Sequence, residues 1–521
     1  MAAQHPSVDA RTGARQSGGP NPTALLIVVL ISLGLVVSAV PALNVALPNV
    51  AERTGATQSQ LQWIVDAYAV VFASLLLACG ALGDRYGRKP ILLAGMVLFA
   101  AASGVASFAD SAGALVALRA LMGVGAALVM PTTLSILTTS LPGEKQGRAV
   151  GAWVGVAGAG AILGLLSSGL LLEIFDWPSI FALNVVIGGL LVIGIVLVVP
   201  NSRHESPPRV DYLGTLLSTL GLTALVFGVI EGPQNGWTSR ITLSAFAVAA
   251  LALLVWAIWS LRTREPLLDP RLFRRRDFAN GTISLAVQFF AFFGFVFVVM
   301  QYLQLVRGYS PLQAAVALVP MGVVLGGLSR RVPQLVQLRG RRVVSTIGLL
   351  LMAGGFGILS RLGTDSGYLL LLAGLLPVGA GMALATVPAT TGILVSLPAE
   401  KQGVASAVND AAREIGGTLG IAVLGSILAG AYRSGVLDAV PASAPTQLRD
   451  AAGGSLPAAL AIAGRTGING QALAAAARQA FTDGLTRAFL TACGVLLVTA
   501  VMLALRPVKA QIERSKADTK A

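Results

Sequence analysis

The chain has 521 residues, of which 55% are hydrophobic and 12% charged, with a formal charge of +14. A soluble protein of this length cannot hide so much apolar surface, so the composition excludes one and points to a polytopic membrane protein. The basic excess is scattered in short segments between apolar runs, so no nucleic-acid partner is expected.

In chain order, residues 1–22 form a polar tail, expected to be disordered. Fourteen apolar runs follow, bounded by charge, Pro and Gly: 24–47, 61–82, 90–109, 112–138, 149–172, 179–199, 212–231, 241–261, 279–305, 312–329, 343–361, 367–395, 404–432 and 484–505. Runs such as 24–43 and 179–199 are long enough to cross ~30 Å of hydrocarbon at ~1.5 Å per residue. They lack the polar–apolar alternation of a spanning β-barrel, so the expected class is all-α with 14 spans in the lipid bilayer. The first run has no small-residue cleavage site behind a short apolar core and reads as a retained span. Residues 469–484, NGQALAAAARQAFTDG, are expected to form an outer helix leading into the last span. Residues 506–521 close the chain as a second tail.

Orientation follows from basic residues. With both termini cytoplasmic, 26 of the 37 Lys and Arg residues lie on the cytoplasmic side and 9 on the other. That is the bias of a plasma-membrane protein, and the opposite topology inverts it.

The decapeptide SLPGEKQGRA at 140–149 returns as SLPAEKQGVA at 396–405, differing only at Gly143/Ala399 and Arg148/Val404. The likeness extends upstream, from GVGAALVMP at 123–131 to GAGMALATVP at 379–388. The first copy joins runs 4 and 5, the second runs 12 and 13. Eight spans separate them, where two abutting six-helix halves require six. The expected layout is 6 + 2 + 6: a first bundle at 23–200, two inserted helices at 201–262, and a second, pseudo-symmetric bundle at 263–505 that includes an outer stretch at 433–483. Parallel repeats of this kind build transporters with the substrate site between the halves.

The segment GALGDRYGRKP at 80–90, between runs 2 and 3, resembles the G-x-L-x-D-R-x-G-R-K loop of the major facilitator superfamily. Gly80 and Gly87 suit close approach and a tight turn, and Asp84 can pair with Arg85 or Arg88 or cap a neighbouring helix. The resemblance implies a cytoplasmic latch; the plainer alternative is a positive loop that only sets topology. The stretches LQWIVDAY (61–68), IEGPQNGW (230–237), REPLLDPRLFRRRDFANG (264–281), QYLQLVRGYSPLQA (301–314) and SAVNDAAREIGGTLGIAVLGS (406–426) are similar to the fourteen-span drug:proton antiporter branch, actinobacterial exporters in particular. The fold implied is the major facilitator fold.

Charge inside the membrane marks the candidate site, because a centrally placed carboxylate costs ~2.5–3.5 kcal/mol even on permissive scales. Asp66 lies a few residues into span 2. The resemblance links it to cationic drugs and protons; the alternative is an interfacial residue that ends the span. Arg119, in LVALRALMGVGAA (115–127), resembles the family's R-x-x-x-G-x-G stretch, with Met122 where the family carries Gln. It is expected either to hold proton-carrying carboxylates or to tie backbone carbonyls. Asp410, Arg413 and Glu414 open span 13. The acids share a helical face, and Arg413 is spaced to pair with Asp410, giving either a proton-carrying cluster or an interfacial ion network. Glu231, ending span 7, reads as structural.

Two departures weaken the family pattern. SAVPALNVALP (38–48) has Ala39 where the family carries an acid, and GAILGLLSSG (160–169) has Leu165 where its antiporter helix carries a kinking Pro. Gly160, Gly164 and Gly169 are retained for close helix packing. Cys79 and Cys493 fall inside spans, His5 and His204 are isolated, and no G-x-x-x-x-G-K-[ST] is present. No cofactor, metal or enzymatic activity is therefore expected. The leading expectation is a proton-driven exporter of amphiphilic, often cationic, small molecules. The alternatives are a dedicated exporter of one endogenous lipid or metabolite with altered coupling, and a transport-inactive sensor or scaffold.

Overall fold

The computed structural model describes residues 22–505, apart from 142–143, 203–209, 265, 267, 398–401, 441–443 and 466–467. The two tails, and the centres of both repeated decapeptides, lie outside the described residues. Among the described residues every regular element is helical.

The first helices are α1 (Pro22–Thr54), α2 (Gln58–Tyr86), α3 (Arg88–Ala106), α4 (Ala112–Ser140), α5 (Glu144–Leu172) and α6 (Pro178–Val198). Then come α7 (Tyr212–Asn235), α8 (Arg240–Arg262) and a 3₁₀ turn, Pro270–Arg274. α9 (Arg276–Gln301) runs on as a π-helical turn, Tyr302–Val306. α10 (Pro311–Ala317) and α11 (Val319–Ser329) share one span, Pro311–Ser329, and the short α12 (Val332–Arg339) follows. The chain closes with α13 (Arg341–Leu359), α14 (Tyr368–Val395), α15 (Gln402–Ala439), α16 (Thr446–Gly454), α17 (Leu456–Arg465) and α18 (Ile468–Leu505).

Thirteen stretches are long and apolar enough to cross a membrane, and α5 makes a fourteenth when its two limbs, bent by 48°, count as one span. The decapeptides stand where the repeat requires, one between α4 and α5, the other between α14 and α15. Local chemistry sets the ends. Thr57 and Gln60 close a capping box on α2, and Ser310 with Gln313 does the same for α10, each satisfying two otherwise orphan N–H groups. Gly87, at φ 105°, makes the turn from α2 into α3 that only glycine adopts freely.

Three boundaries differ from expectation. α1 runs to Thr54 through Pro41 and Pro48. α15 continues to Ala439, and the outer helix expected at 469–484 is the first part of a continuous α18. At ~1.5 Å per residue, each of these 38-residue helices is ~57 Å long and overshoots the hydrocarbon. The outer stretch between them carries α16 and α17, held by Tyr432 Oη donating to Ala452 O (2.9 Å) and by the Arg433–Asp450 pair (3.2 Å).

Helices α1 to α6 pack largely among themselves, as do most of α9 to α18, with α10 seated on α5 and α15 against α2, while α7 pairs with α8 and also lies against α2 and α15. Small residues bring backbones together, since apolar area alone does not drive association in lipid. A Cβ on Gly123 would meet Tyr68 O at 2.6 Å, and one on Gly420 would meet Phe290 O at 2.0 Å. Several hydrogen bonds from the first group to the second lie at the end where α1 and α9 finish. Gln304 donates to Val45 O (2.9 Å), Gln62 to Ile421 O and Ala422 O (3.2 and 3.1 Å), and the Leu312 N–H and Ser310 hydroxyl to Glu173.

Candidate functional site

Asp66 lies two turns inside α2 and is fully buried. Neither carboxylate oxygen has a hydrogen-bond partner. Two positions on, Tyr68 donates its hydroxyl to Val36 O on α1 (2.7 Å) and offers its ring to Arg119.

Arg119, from α4, is 1% exposed and is the bulkiest fully buried side chain. Its guanidinium carbon sits 4.3 Å from the centroid of the Tyr68 ring, and its Nε donates to Ile64 O at 3.1 Å. One terminal nitrogen, Nη2, has no partner. Of the two roles expected for it, the backbone tie is the one observed, joined by a cation–π stack worth ~2 kcal/mol or more when desolvated.

On α15, Asp410 is buried and accepts from Asn409 Nδ2 (3.2 Å). The ion pair expected between Asp410 and Arg413 does not form among the described residues. Arg413 instead lies 4.5 Å over the Phe289 ring of α9, its flat guanidinium covering the aromatic face. Glu414 is within electrostatic reach of both Asp410 and Arg413, and also of Tyr68 on α2. The structure therefore brings Arg119 and Tyr68 together in a buried pair from α4 and α2, with the half-buried Glu414 of α15 nearby. Asp66 makes no hydrogen bond or ion pair with this set.

Tyr68 and Phe289 were missed in the sequence because an aromatic in an apolar run looks like any core residue. Gln62 carried a readable signal: a polar residue four before Asp66, on the same face. Glu231 accepts from Trp63 Nε1 (2.9 Å) and Asn235 Nδ2 (3.2 Å).

In the loop between α2 and α3, Asp84 accepts two bonds from Arg88 (2.9 and 3.2 Å), and the Arg88 N–H donates to Ser202 O (2.9 Å). Arg85 turns instead toward the Tyr86 ring, 5.8 Å from its centroid. Close approach at Gly80 is not realised, since a Cβ there would meet Pro131 at an ordinary 3.5 Å. On α5, Gly160 and Gly164 press on Val37 and Ser38 of α1, and Gly169 abuts Leu312 and Ala315 of α10. Leu165 is buried (4%), yet α5 still bends, at the glycine-rich join of Arg148–Ala157 with Ala159–Leu172. Glycine supplies there the kink that proline supplies in the family pattern.

A small, partly open apolar crevice of about 10 Å³ lies where α2, α7 and α15 meet, between Val70, Ala73, Leu222, Val226, Ile415 and Thr418. No group of three or more His, Cys, Asp or Glu spaced to hold a metal occurs among the described residues.

A membrane bundle of this size, with acids and an arginine buried where two sets of helices meet, is the construction of a secondary transporter. The chain belongs to the Major Facilitator Superfamily, whose sequence profile matches residues 25–421. It is a transporter and a multi-pass membrane protein, not an enzyme. It is 36% identical to the multidrug resistance protein Stp of Mycobacterium tuberculosis over 80% of this chain and 78% of that one. It is 34% identical to the multidrug efflux pump LfrA of Mycolicibacterium smegmatis, covering 88% and 91% of the two chains. With the tetracenomycin C resistance and export protein of Streptomyces glaucescens it shares 32% over 93% and 91%. Among solved structures, a bacterial homologue of the lysosomal transporter Spinster, in an inward-facing and unoccupied conformation, superposes with a TM-score of 0.63 at 18% identity, over 95% of this chain and all of that one.

Proposed function

We propose that the protein exports amphiphilic, often cationic, drugs or antibiotics across the cell membrane in exchange for protons, by alternating access of two six-helix bundles flanking the α7–α8 pair. Relatives named for drug resistance and export support the cargo class. The observation that carries the coupling is Asp66: a carboxyl buried with both oxygens unpartnered is stable as the neutral acid or against an organic cation, and so suits an exchange of one for the other. Asp410 and Glu414, one turn apart beside Arg413, are a second proton-carrying pair. The termini face the cytoplasm, in line with the basic residues on that side. Asp84, Arg85, Gly87 and Arg88 then form the cytoplasmic latch.

The test is Asp66→Asn in inverted vesicles. The variant is expected to lose drug-driven proton release and proton-driven uptake while still inserting at wild-type levels. Proton release equal to wild type removes Asp66 from the mechanism.

A second reading, export of one endogenous lipid or metabolite with altered coupling, is favoured by Ala39, buried where the family pattern places an acid. Susceptibility of a knockout and an overexpressor to a drug panel separates the readings. A broad shift marks multidrug export, a shift for one compound marks the dedicated exporter, and no shift marks a sensor or scaffold.

A further inference from the structure

Gln62 is the first polar residue one turn from Asp66 on the same face of α2, and its amide crosses to α15. Nε2 donates to Ile421 O at 3.2 Å and to Ala422 O at 3.1 Å. Only the nitrogen of an amide can donate to carbonyls, so these bonds fix the orientation of the group and leave Oε1 as a lone acceptor. That oxygen is buried and unpartnered, as are both oxygens of Asp66. Two buried acceptor groups without a donor thus stand a helical turn apart on one face of α2. The approach is built into α15 as well. A Cβ on Gly425 would fall 2.2 Å from the Gln62 nitrogen, so no larger residue admits the amide to those carbonyls.

We infer that Gln62 is a positioning residue that converts the protonation of Asp66 into closure of the α2–α15 seam. This rests on the proposed proton exchange at Asp66. With Asp66 neutral, its O–H donates to Gln62 Oε1 and the amide N–H₂ stays on Ile421 O and Ala422 O. When the proton leaves for water, the bare carboxylate is a stronger acceptor than a helix carbonyl already engaged in its own helix. The Gln62 amide then turns its N–H₂ to Asp66, the α15 carbonyls are released, and the seam parts at the end where α1 and α9 finish.

Few other groups compete. The charged residues on elements packed against α2 are Arg119 from α4, Glu231 from α7, Asp410, Arg413, Glu414, Arg433 and Asp438 from α15, Arg88 and Lys89 from α3, and Glu52 and Arg53 from α1; the tyrosines there are Tyr212 of α7 and Tyr432 of α15, the latter donating to Ala452 O. Arg119 is committed to Ile64 O and Tyr68, Glu231 to Trp63 and Asn235, Arg413 to Phe289, and Arg88 to Asp84. Arg53 is paired with Asp176, and Arg433 with Asp450. None of the eleven bonds to Asp66, whose oxygens have no partner at all.

The experiment places spin labels through E52C and S434C, in a background without Cys79 and Cys493, and reads the distance across the seam at acid and alkaline pH in nanodiscs. The wild-type distance is expected to lengthen at alkaline pH. Gln62→Leu, which neither donates nor accepts, is expected to lose that response. Gly425→Ala, which blocks the same contact from α15, is expected to lose it too, and so covers the case in which Gln62→Leu does not fold. Asp66→Asn is expected to hold one distance at both values. If Asp66→Asn still responds to pH, the proton reading of Asp66 is overturned. If Asp66→Asn is unresponsive while Gln62→Leu and Gly425→Ala respond as wild type, only the part assigned to Gln62 is overturned.

Discussion

A single guanidinium shows how the site is assembled. Arg119 is 1% exposed, donates to one backbone carbonyl and lies flat on Tyr68. Lysine keeps the charge but has neither the Nε fork nor a flat face, so Arg119→Lys is expected to slow transport at least about tenfold. Arg119→Met fills similar volume without a buried charge and is expected to leave the unfolding temperature unchanged or raised while abolishing transport. Transport assays beside thermal unfolding of the purified variants check both. A fall in stability parallel to the loss of transport shows Arg119 to be structural only. The charge of Arg119 was legible in the sequence because a cation amid apolar residues has few bland explanations. Its partner was not. Tyr68 is one of many aromatics in apolar runs, and what singles it out is the α2–α4 contact, which no local pattern encodes. The same holds for Arg413, whose spacing points to Asp410 but whose environment supplies Phe289.

Among the elements, α5 is the most informative. Replacing the family's proline by Leu165 leaves the helix bent by 48°, because the glycines around 158 keep the chain free to kink where α5 meets α1. The glycines differ in consequence. A Cβ on Gly164 would meet Ser38 O at 2.5 Å, and one on Gly80 meets only Pro131 at 3.5 Å. Gly164→Ala is therefore expected to destabilise by about 1–3 kcal/mol. Gly80→Ala is expected to change stability by no more than about 0.5 kcal/mol, or to raise it through helix propensity. Thermal unfolding in detergent checks the pair, and equal effects would contradict the packing account. Helix identity was legible from apolar runs nearly everywhere, but helix ends were not. Hydropathy marks where the bilayer stops, whereas α15 and α18 continue beyond it on alanine-rich sequence that is helical by propensity and by packing of α16 and α17.

For the whole molecule, the legible feature was the repeated decapeptide, which falls after α4 and again after α14. What it could not convey is where the two helix groups touch. Among the described residues, hydrogen bonds between them through Gln62, Gln304, Ser310 and Leu312 lie at one end, and the other end carries ties inside each group, such as Asp84–Arg88 and Arg275 to Ser396 O. The measurement that tests the central claim most directly is transport by the purified protein in proteoliposomes under an imposed pH gradient, followed with a fluorescent organic cation. The account predicts that molecules inserted cytoplasmic face outward concentrate the cation into an acidic lumen, and lose it again when a proton ionophore collapses the gradient. A cation that equilibrates at the same rate and to the same level with or without the gradient would contradict proton-driven export.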